Sequence, residues 1–530
     1  MDKAKGKRMT SKQPGKKLPG KEKAKRVKTT PAAARSAIAR PTEPIRPAPH
    51  HEIALTGFLL CGRHHQSREP LTNLSPILSP WDNTVVATVP LATRAEALLA
   101  VDAADKILPV TRALPAYERQ RILETVSRRL VADRATLAAT IIAEAGKPLR
   151  AALDEVDRAA FTFQLAAAEA VRQGGEVLPL DLLPGSEGRW GMLRRFPIGP
   201  VLAITPFNFP LNLVAHKLAP AIAAGCPVLL KPSPRTPLSA LALGRIILEA
   251  GWPPEALSVL PMSNPDAEWL VEHEDRLKML SFTGSAPVGW KLKAKAGTKR
   301  VVLELGGNAA MIVHGDCGNL APIVAKAVAA AFTYSGQSCI SVQRIFVERP
   351  IFQTFTWKFV ESTAKLECGD PASELTDVGP VICEADAERI VSWIEEARRQ
   401  GAKVVAGGGR KGALVEPTIL SATRSPMKVV DEEIFGPVVS IEAYDDFDSV
   451  LARVNQSRYG LQAGLFTRDI GRIQHAYETL EVGALIVGDT PSWRMDSMPY
   501  GGVKGSGEGR EGVRWAIAEM TQPRLLVMTP

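Results

Sequence analysis

Cys339 stands in "YSGQSCISVQR" (Tyr334–Arg344), where glycine and small polar residues precede it in place of the unbroken apolar neighbours of a usual core cysteine. That pattern suggests a helix ending in a backbone-rich pocket with a thiol in it, and a pocket thiol does chemistry only if other groups converge on it. Two candidates stand elsewhere in the chain. Glu304, flanked by Val, Leu and two glycines in "VVLELGG", is either a half-exposed edge residue or an acid held in a pocket, where desolvation raises its pKa toward that of a general base. Asn208, set among phenylalanines and prolines in "PFNFP", is either a turn former or a preorganised amide donor for a developing oxyanion.

These residues need a frame. After Gly199 the chain shows apolar runs at 201–205, 227–231, 257–261, 279–283 and 301–305, each separated by a helix-length segment. Buried strands alternating with helices imply an α/β protein with a Rossmann-like, doubly wound parallel sheet, which binds ligands at the carboxyl ends of its strands. "PFNFP", Lys231, Gly284-Ser285 and Glu304 all fall at such ends. The Gly284-Ser285 turn before a helix exposes amides suited to pyrophosphate, although a GSxxxG also marks simple tight packing, and no GxGxxG follows any strand. Upstream, 58–89 reads as an antiparallel ribbon, "TRAE" (Thr93–Glu96) as a capping box, and 116–145 and 151–172 as long amphipathic helices. A second alternating stretch over 319–487, with strands at 343–347, 437–442, 463–467 and 483–487, forms a second α/β domain. The glycine-rich 498–512 reads as a structured loop and 523–528 as a strand.

Composition narrows the class. The 530 residues hold no apolar run long enough to span a membrane, and six scattered cysteines without a CxxC or Cys/His cluster argue for free thiols in a reducing, cytoplasmic compartment and against a metal site. The net charge of +9 is concentrated: residues 1–50 hold 15 Lys and Arg against 3 acids, leaving 50 against 53 in the remainder. This arm is expected to be disordered, and to touch nucleic acid or anionic lipid by charge alone, or to be a solvated tail. It lacks the apolar core of a secretory signal.

Taken together, "PFNFP", "LKPS", "FTGS", "LELGG", "SGQSC", "EEIFGPV" and "PYGGVKGSGEGREG", in this order across about 55–530, resemble the aldehyde dehydrogenase superfamily. The resemblance implies that Cys339 attacks an aldehyde carbonyl, that the Asn208 amide and the Cys339 N–H hold the oxyanion, and that Glu304 activates the water that hydrolyses the thioester. It implies NAD or NADP, with Lys231 and Ser233 on the adenosine side, Gly284 and Ser285 at the pyrophosphate, and Glu433 and Phe435 near the nicotinamide. Pro234-Arg235 stand where NAD-selective members often carry an acid, so NADP use is expected as well. Glu304 points to a free acid as product, not a coenzyme A ester.

The resemblance further implies an NAD(P)-binding domain at 51–174 and 198–305, a catalytic domain at 306–490, and an oligomerisation ribbon at 175–197 with 515–530 that makes a homodimer or homotetramer. The substrate is expected to be a short or semialdehyde-type aldehyde. Arg494 is a candidate for holding its acidic group, or a surface or subunit contact; Phe207, Phe209, Phe332 and Trp493 are candidates for an apolar tunnel. Cys61 and Cys226 read as packing residues, and His216 as facing solvent or a hydrogen-bond partner. Two rival functions stand beside it: a cysteine hydrolase, for which the chain has no histidine near any strand-end motif, and a catalytically weak scaffold whose arm binds nucleic acid.

Overall fold

Val201–Ile204, Val228–Lys231 and Leu257–Val259 are buried along their whole length, so each must hydrogen-bond to a neighbour on both sides with no wet face. The computed structural model, which describes residues 57–65 and 73–530, shows how they do so. The basic arm expected at 1–50 lies outside the described residues.

Five parallel strands run across the first sheet in the order Leu257–Val259, Val228–Lys231, Val201–Ile204, Met279–Thr283 and Arg300–Glu304. Chain order therefore reverses between Val201–Ile204 and Met279–Thr283, and the crevice outside such a reversal is where open α/β sheets take ligands. The hairpin of Phe58–Leu60 and Arg63–His65 closes one edge and Gly507–Glu508 the other, both antiparallel to their neighbours.

The second sheet has seven strands: Lys403–Ala406, Thr418–Ser421, Val438–Tyr444, Val342–Glu348, Ala309–Val313, Gln462–Phe466 and Ala484–Val487, all parallel but the first. A third, antiparallel sheet joins Glu176–Pro179 and Trp190–Pro197 to Thr521–Met528.

Local chemistry sets the helix ends. The capping box forms as expected: the Thr93 hydroxyl accepts from the Glu96 N–H and the Glu96 carboxylate accepts from the Thr93 N–H at 2.7 Å. Gly146 and Gly225 adopt the left-handed conformation that stops Arg134–Ala145 and Asn212–Ala224. Among the described residues, no helix is long and apolar enough to cross a membrane.

Several expectations are corrected. The stretch 116–145 is two helices, Ala116–Ala132 and Arg134–Ala145, because Asp133 leaves helical geometry between them. The segment 58–89 is two separate hairpins, not one ribbon. Cys61 is not a packing residue: it sits half-buried in the turn of the first hairpin with φ at 50°. Ala309–Val313, in the second sheet, follows Glu304 after only the four residues Leu-Gly-Gly-Asn, so it breaks the strand-helix alternation that located the other strands. The loop at 498–512 contains two short strands, since its glycines let the backbone lie against sheet edges where a side chain would collide: a Cβ on Gly507 would meet the Leu303 carbonyl at 2.0 Å. Helix Val513–Glu519 packs into the first core through Val513 and Ile517, and the C-terminal strand expected at 523–528 spans Thr521–Met528.

Candidate active site

The sheet reversal opens into a cavity of about 280 Å³ whose walls include Asn208, Ser285, Glu304, Cys339, Glu433 and Tyr500. Gly284 and Phe435 line it as well. Lys231 and Ser233 do not. Lys231 ends the strand beside Ile204, donates from Nζ to Asn264 Oδ1 at 2.8 Å, and is pulled down to about 8 by burial. Ser233 accepts from the Arg235 N–H at 3.2 Å, and Pro234 and Arg235 are exposed.

The backbone that delivers Cys339 is strained. Tyr334 and Ser335 have φ of 51° and 55°, a region that costs an ordinary residue on the order of 1–3 kcal/mol. Distant partners hold it there: the Tyr334 hydroxyl donates to the Ala145 carbonyl at 3.2 Å and the Ser335 hydroxyl to the Gly379 carbonyl at 2.6 Å. Gly336 is required next, because a Cβ would lie 2.1 Å from the Gly436 carbonyl oxygen. The thiol that emerges is half-buried, with Sγ 2.9 Å from the Tyr500 hydroxyl.

Burial pushes that thiol up to about 12, against the lowering effect of the Tyr500 hydrogen bond. The resting group is therefore a thiol, and its thiolate fraction rises about tenfold per pH unit below that value. Alkylation of cofactor-free protein by iodoacetamide is expected to accelerate steadily from pH 7 to 10; a plateau near pH 7 would show a preformed thiolate instead.

Asn208 Nδ2 donates one hydrogen to the Gln337 carbonyl at 3.0 Å, which fixes the amide against the Cys339 loop and leaves its second N–H for another acceptor. Glu304 ends its strand with both carboxylate oxygens buried and unpartnered among the described residues. Its pKa is raised first by burial and then by the nearby Glu511 carboxylate.

Behind Glu304 lies a charged cluster. Glu511 accepts from Lys217 at 3.4 Å and from Arg494 at 3.2 Å; burial opposes its charge, but Lys217 and then Arg494 outweigh it and hold the group at about 2. Asp496 pairs with Arg158 at 2.6 Å and His216 at 2.9 Å, and its pKa falls despite burial. His216 is pulled down by burial and then by Arg494, so it is neutral near pH 7. Arg158, Lys217 and Arg494 thus share the carboxylates of Asp496 and Glu511, with Glu304 beside them, and of the three cations Arg158 and Arg494 line the cavity.

The sequence profile of the aldehyde dehydrogenase family matches residues 67–526. The chain belongs to the aldehyde dehydrogenase family. It is 44% identical over 453 residues to the 3-sulfolactaldehyde dehydrogenase of Priestia aryabhattai, covering 85% of this chain and 94% of that one. Aldehyde dehydrogenase 21 of Physcomitrella patens, solved with its reaction product succinate, superposes with a TM-score of 0.86 at 43% identity, covering 89% of this chain and 98% of that one. The glyceraldehyde-3-phosphate dehydrogenase GapN of Methanocaldococcus jannaschii, complexed with NADP, gives 0.83 at 37% identity, covering 86% and 99%. The expected fold and oxidoreductase class hold.

In this aldehyde dehydrogenase a second cavity, of about 490 Å³, shares Arg158, Phe209 and Ser338 with the first, so the two meet one residue short of Cys339. Of the proposed tunnel aromatics, Phe207 and Phe209 line the first cavity and Trp493 the second, while Phe332 is buried in the core of the second sheet. Arg494 is buried against the Tyr500 ring at 3.6 Å and not on the surface, and His216 faces Asp496 and not solvent. Sequence reasoning missed Lys217, Asp496, Tyr500 and Glu511. Lys217 carried a signal, as an ammonium in the otherwise apolar "NLVAHKLAPAIAA".

Proposed function

We propose that this aldehyde dehydrogenase oxidises a short aldehyde bearing a carboxylate, sulfonate or phosphate to the corresponding acid, with NAD or NADP. Arg158 and Arg494, which line the cavity that holds Cys339, support the acidic group, since guanidinium groups there offer charge-assisted hydrogen bonds to a carboxylate, sulfonate or phosphate. Arg494 Nε is buried, makes no hydrogen bond among the described residues and lies 3.7 Å from Asp496 Oδ1. The relatives above are named for, or bound to, small acidic molecules.

The residues at the sheet reversal fit a dinucleotide. Ser285 opens the helix Ala286–Lys295 with no side-chain cap, leaving its first-turn amides for an anion. Glu433 is partly buried, accepts among the described residues only from the Gly307 N–H at 2.9 Å, and is pushed up to about 7 by desolvation, so one of its oxygens remains for a hydroxyl. When bound, NAD(P) accepts the hydride from the substrate's former aldehyde carbon.

The chain's own residues do the rest. The Cys339 sulfur adds to the carbonyl carbon, the C=O π pair moves to oxygen, and the thiol proton passes to solvent water. The Asn208 amide holds the resulting oxyanion, and the Cys339 N–H, which has no acceptor among the described residues, joins it. After hydride loss, Glu304 in its ionised form removes a proton from water, whose oxygen attacks the thioester carbonyl and expels the thiolate. Because its pKa is raised, the share of Glu304 ready for this step grows with pH.

The six free cysteines suit a reducing compartment such as the cytoplasm. Leu525, Leu526, Val527 and Met528 are roughly half exposed along the C-terminal strand of the ribbon, an apolar surface suited to a second copy in a homodimer or homotetramer.

The test is absorbance at 340 nm with NAD and with NADP, comparing semialdehydes with neutral aldehydes of equal length. The acidic substrates are expected to lead by at least about tenfold in kcat/KM, the scale of one hydrogen bond to a charged group. Neutral aldehydes turned over equally well would overturn the acidic-group assignment while leaving aldehyde oxidation intact.

A further inference from the structure

The proposed reaction needs a Cys339 thiolate, and burial works against one. No histidine lines the cavity, and His216, behind it, is held by Asp496 at 2.9 Å. Among the described residues the sulfur makes one hydrogen bond, to the Tyr500 hydroxyl at 2.9 Å, and that hydroxyl has no other partner.

Tyr500 is held so that its hydroxyl stays on the sulfur. The residue is buried, and its backbone pairs with Glu511 through two hydrogen bonds, Tyr500 N–H to the Glu511 carbonyl at 3.0 Å and Glu511 N–H to the Tyr500 carbonyl at 2.6 Å. The Arg494 guanidinium lies 3.6 Å from the ring centre and is tied to Glu511 in turn. A cation over the face of a phenol draws electron density from the ring and makes the O–H a stronger donor. With a neutral thiol either atom can donate. A thiolate only accepts, so the bond then runs from the Tyr500 O–H to the sulfur and strengthens with the charge.

The sulfur carries that charge twice in the reaction, before it attacks the carbonyl and when water displaces it from the thioester. Between the two it is bonded to carbon and is a poor acceptor, as a thioether sulfur is. We infer that Tyr500 is a catalytic residue whose hydroxyl donates to the Cys339 thiolate, both as the thiolate forms to attack the aldehyde and as hydrolysis expels it from the thioester. The hydroxyl keeps its proton throughout; the thiol proton passes to solvent water. This role rests on the aldehyde-oxidation reading, but the thiolate itself does not, and alkylation reads it with no aldehyde present.

The experiment follows alkylation of Cys339 in cofactor-free protein by iodoacetamide and by the bulkier N-ethylmaleimide, scored on the Cys339 peptide by mass spectrometry. Removing one hydrogen bond to a charged group lowers the thiolate fraction by about tenfold or more, while each thiolate that remains is about threefold more nucleophilic. Tyr500→Phe is therefore expected to slow both reagents by the same factor, at least about threefold at any pH between about 7 and 10, and to lower kcat/KM for aldehyde oxidation as well. Replacing Tyr500 with 3-fluorotyrosine, a stronger donor of nearly the same size, is expected to move the rates the other way. Alkylation of Tyr500→Phe at the wild-type rate overturns the inference. Slowing of one reagent only, which marks a displaced sulfur, also overturns it, as does slower alkylation with kcat/KM unchanged. Absence of cofactor reduction with every aldehyde, in wild-type protein whose Cys339 responds to Tyr500 as expected, overturns the aldehyde reading instead, which separates the two failures.

Discussion

Cys339→Ala is expected to lower aldehyde-dependent cofactor reduction by at least about 10⁴-fold in kcat/KM, because removing a covalent nucleophile removes the path and not just a contact. Without the sulfur, hydride would have to leave a neutral aldehyde hydrate, and the Asn208 amide would stabilise an oxyanion that no longer forms. The substitution should leave the fold intact. Cys339 is only half-buried and packs at the edge of a small cluster with Ile340, Leu461 and Tyr500. Its main structural debt is the Tyr500 hydroxyl it leaves unpaired, worth about 1–3 kcal/mol. A residual rate within a hundredfold of wild type, in protein shown to be folded, would mean that another group attacks the carbonyl.

Glu155→Ala is expected to destabilise the protein by about 3–5 kcal/mol, the usual cost of breaking a buried ion pair from one side. Glu155 and Lys147 are both fully buried and joined directly. The carboxylate also accepts from the Leu211 and Asn212 N–H groups at 2.9 and 3.1 Å, which stitches the end of "PFNFP" to the helix Leu149–Ala170. Lys147 in turn lies 3.7 Å from the centre of the Phe209 ring and 4.3 Å from that of Tyr334, so one ammonium braces both the Asn208 segment and the Cys339 segment. Burial already pulls Lys147 down to about 8, and loss of Glu155 removes what holds it up. The check is urea unfolding of Glu155→Ala beside the double change Lys147→Met with Glu155→Leu. The double variant should recover most of the loss, since apolar replacement of a buried pair is often neutral. Equal loss in both would assign the cost to the Leu211 and Asn212 amides instead.

The sequence was most legible where one strand followed one helix. All five parallel strands of the first sheet were readable as buried apolar runs, and three of them, Val201–Ile204, Met279–Thr283 and Arg300–Glu304, lead into residues that line the cavity. Ala309–Val313 was not readable, because "AAMIV" follows "LELGG" with no helix between and five apolar residues carry no period that identifies them. The same limit applied at the site. Cys339, Glu304 and Asn208 stood out as polar groups beside glycine or apolar runs, a contrast visible in one dimension. Glu511 and Asp496 did not, since their meaning lies in Lys217, Arg494 and His216, which reach them across as many as 294 residues of chain. Tyr500 lay within a quoted motif, yet nothing in the order of letters showed its hydroxyl against the sulfur.

Arg494, Asp496, Tyr500 and Glu511 all sit within 494–511, and the same stretch is clipped to the first sheet through Gly507–Glu508 and to Tyr459–Gly460 through Val503–Lys504. The nucleophile, the amide and the base come from other parts of the chain. One stretch of under twenty codons therefore supplies four of the groups packed around Cys339 and Glu304, while Arg158 and Lys217, which pair with its carboxylates, come from elsewhere in the chain.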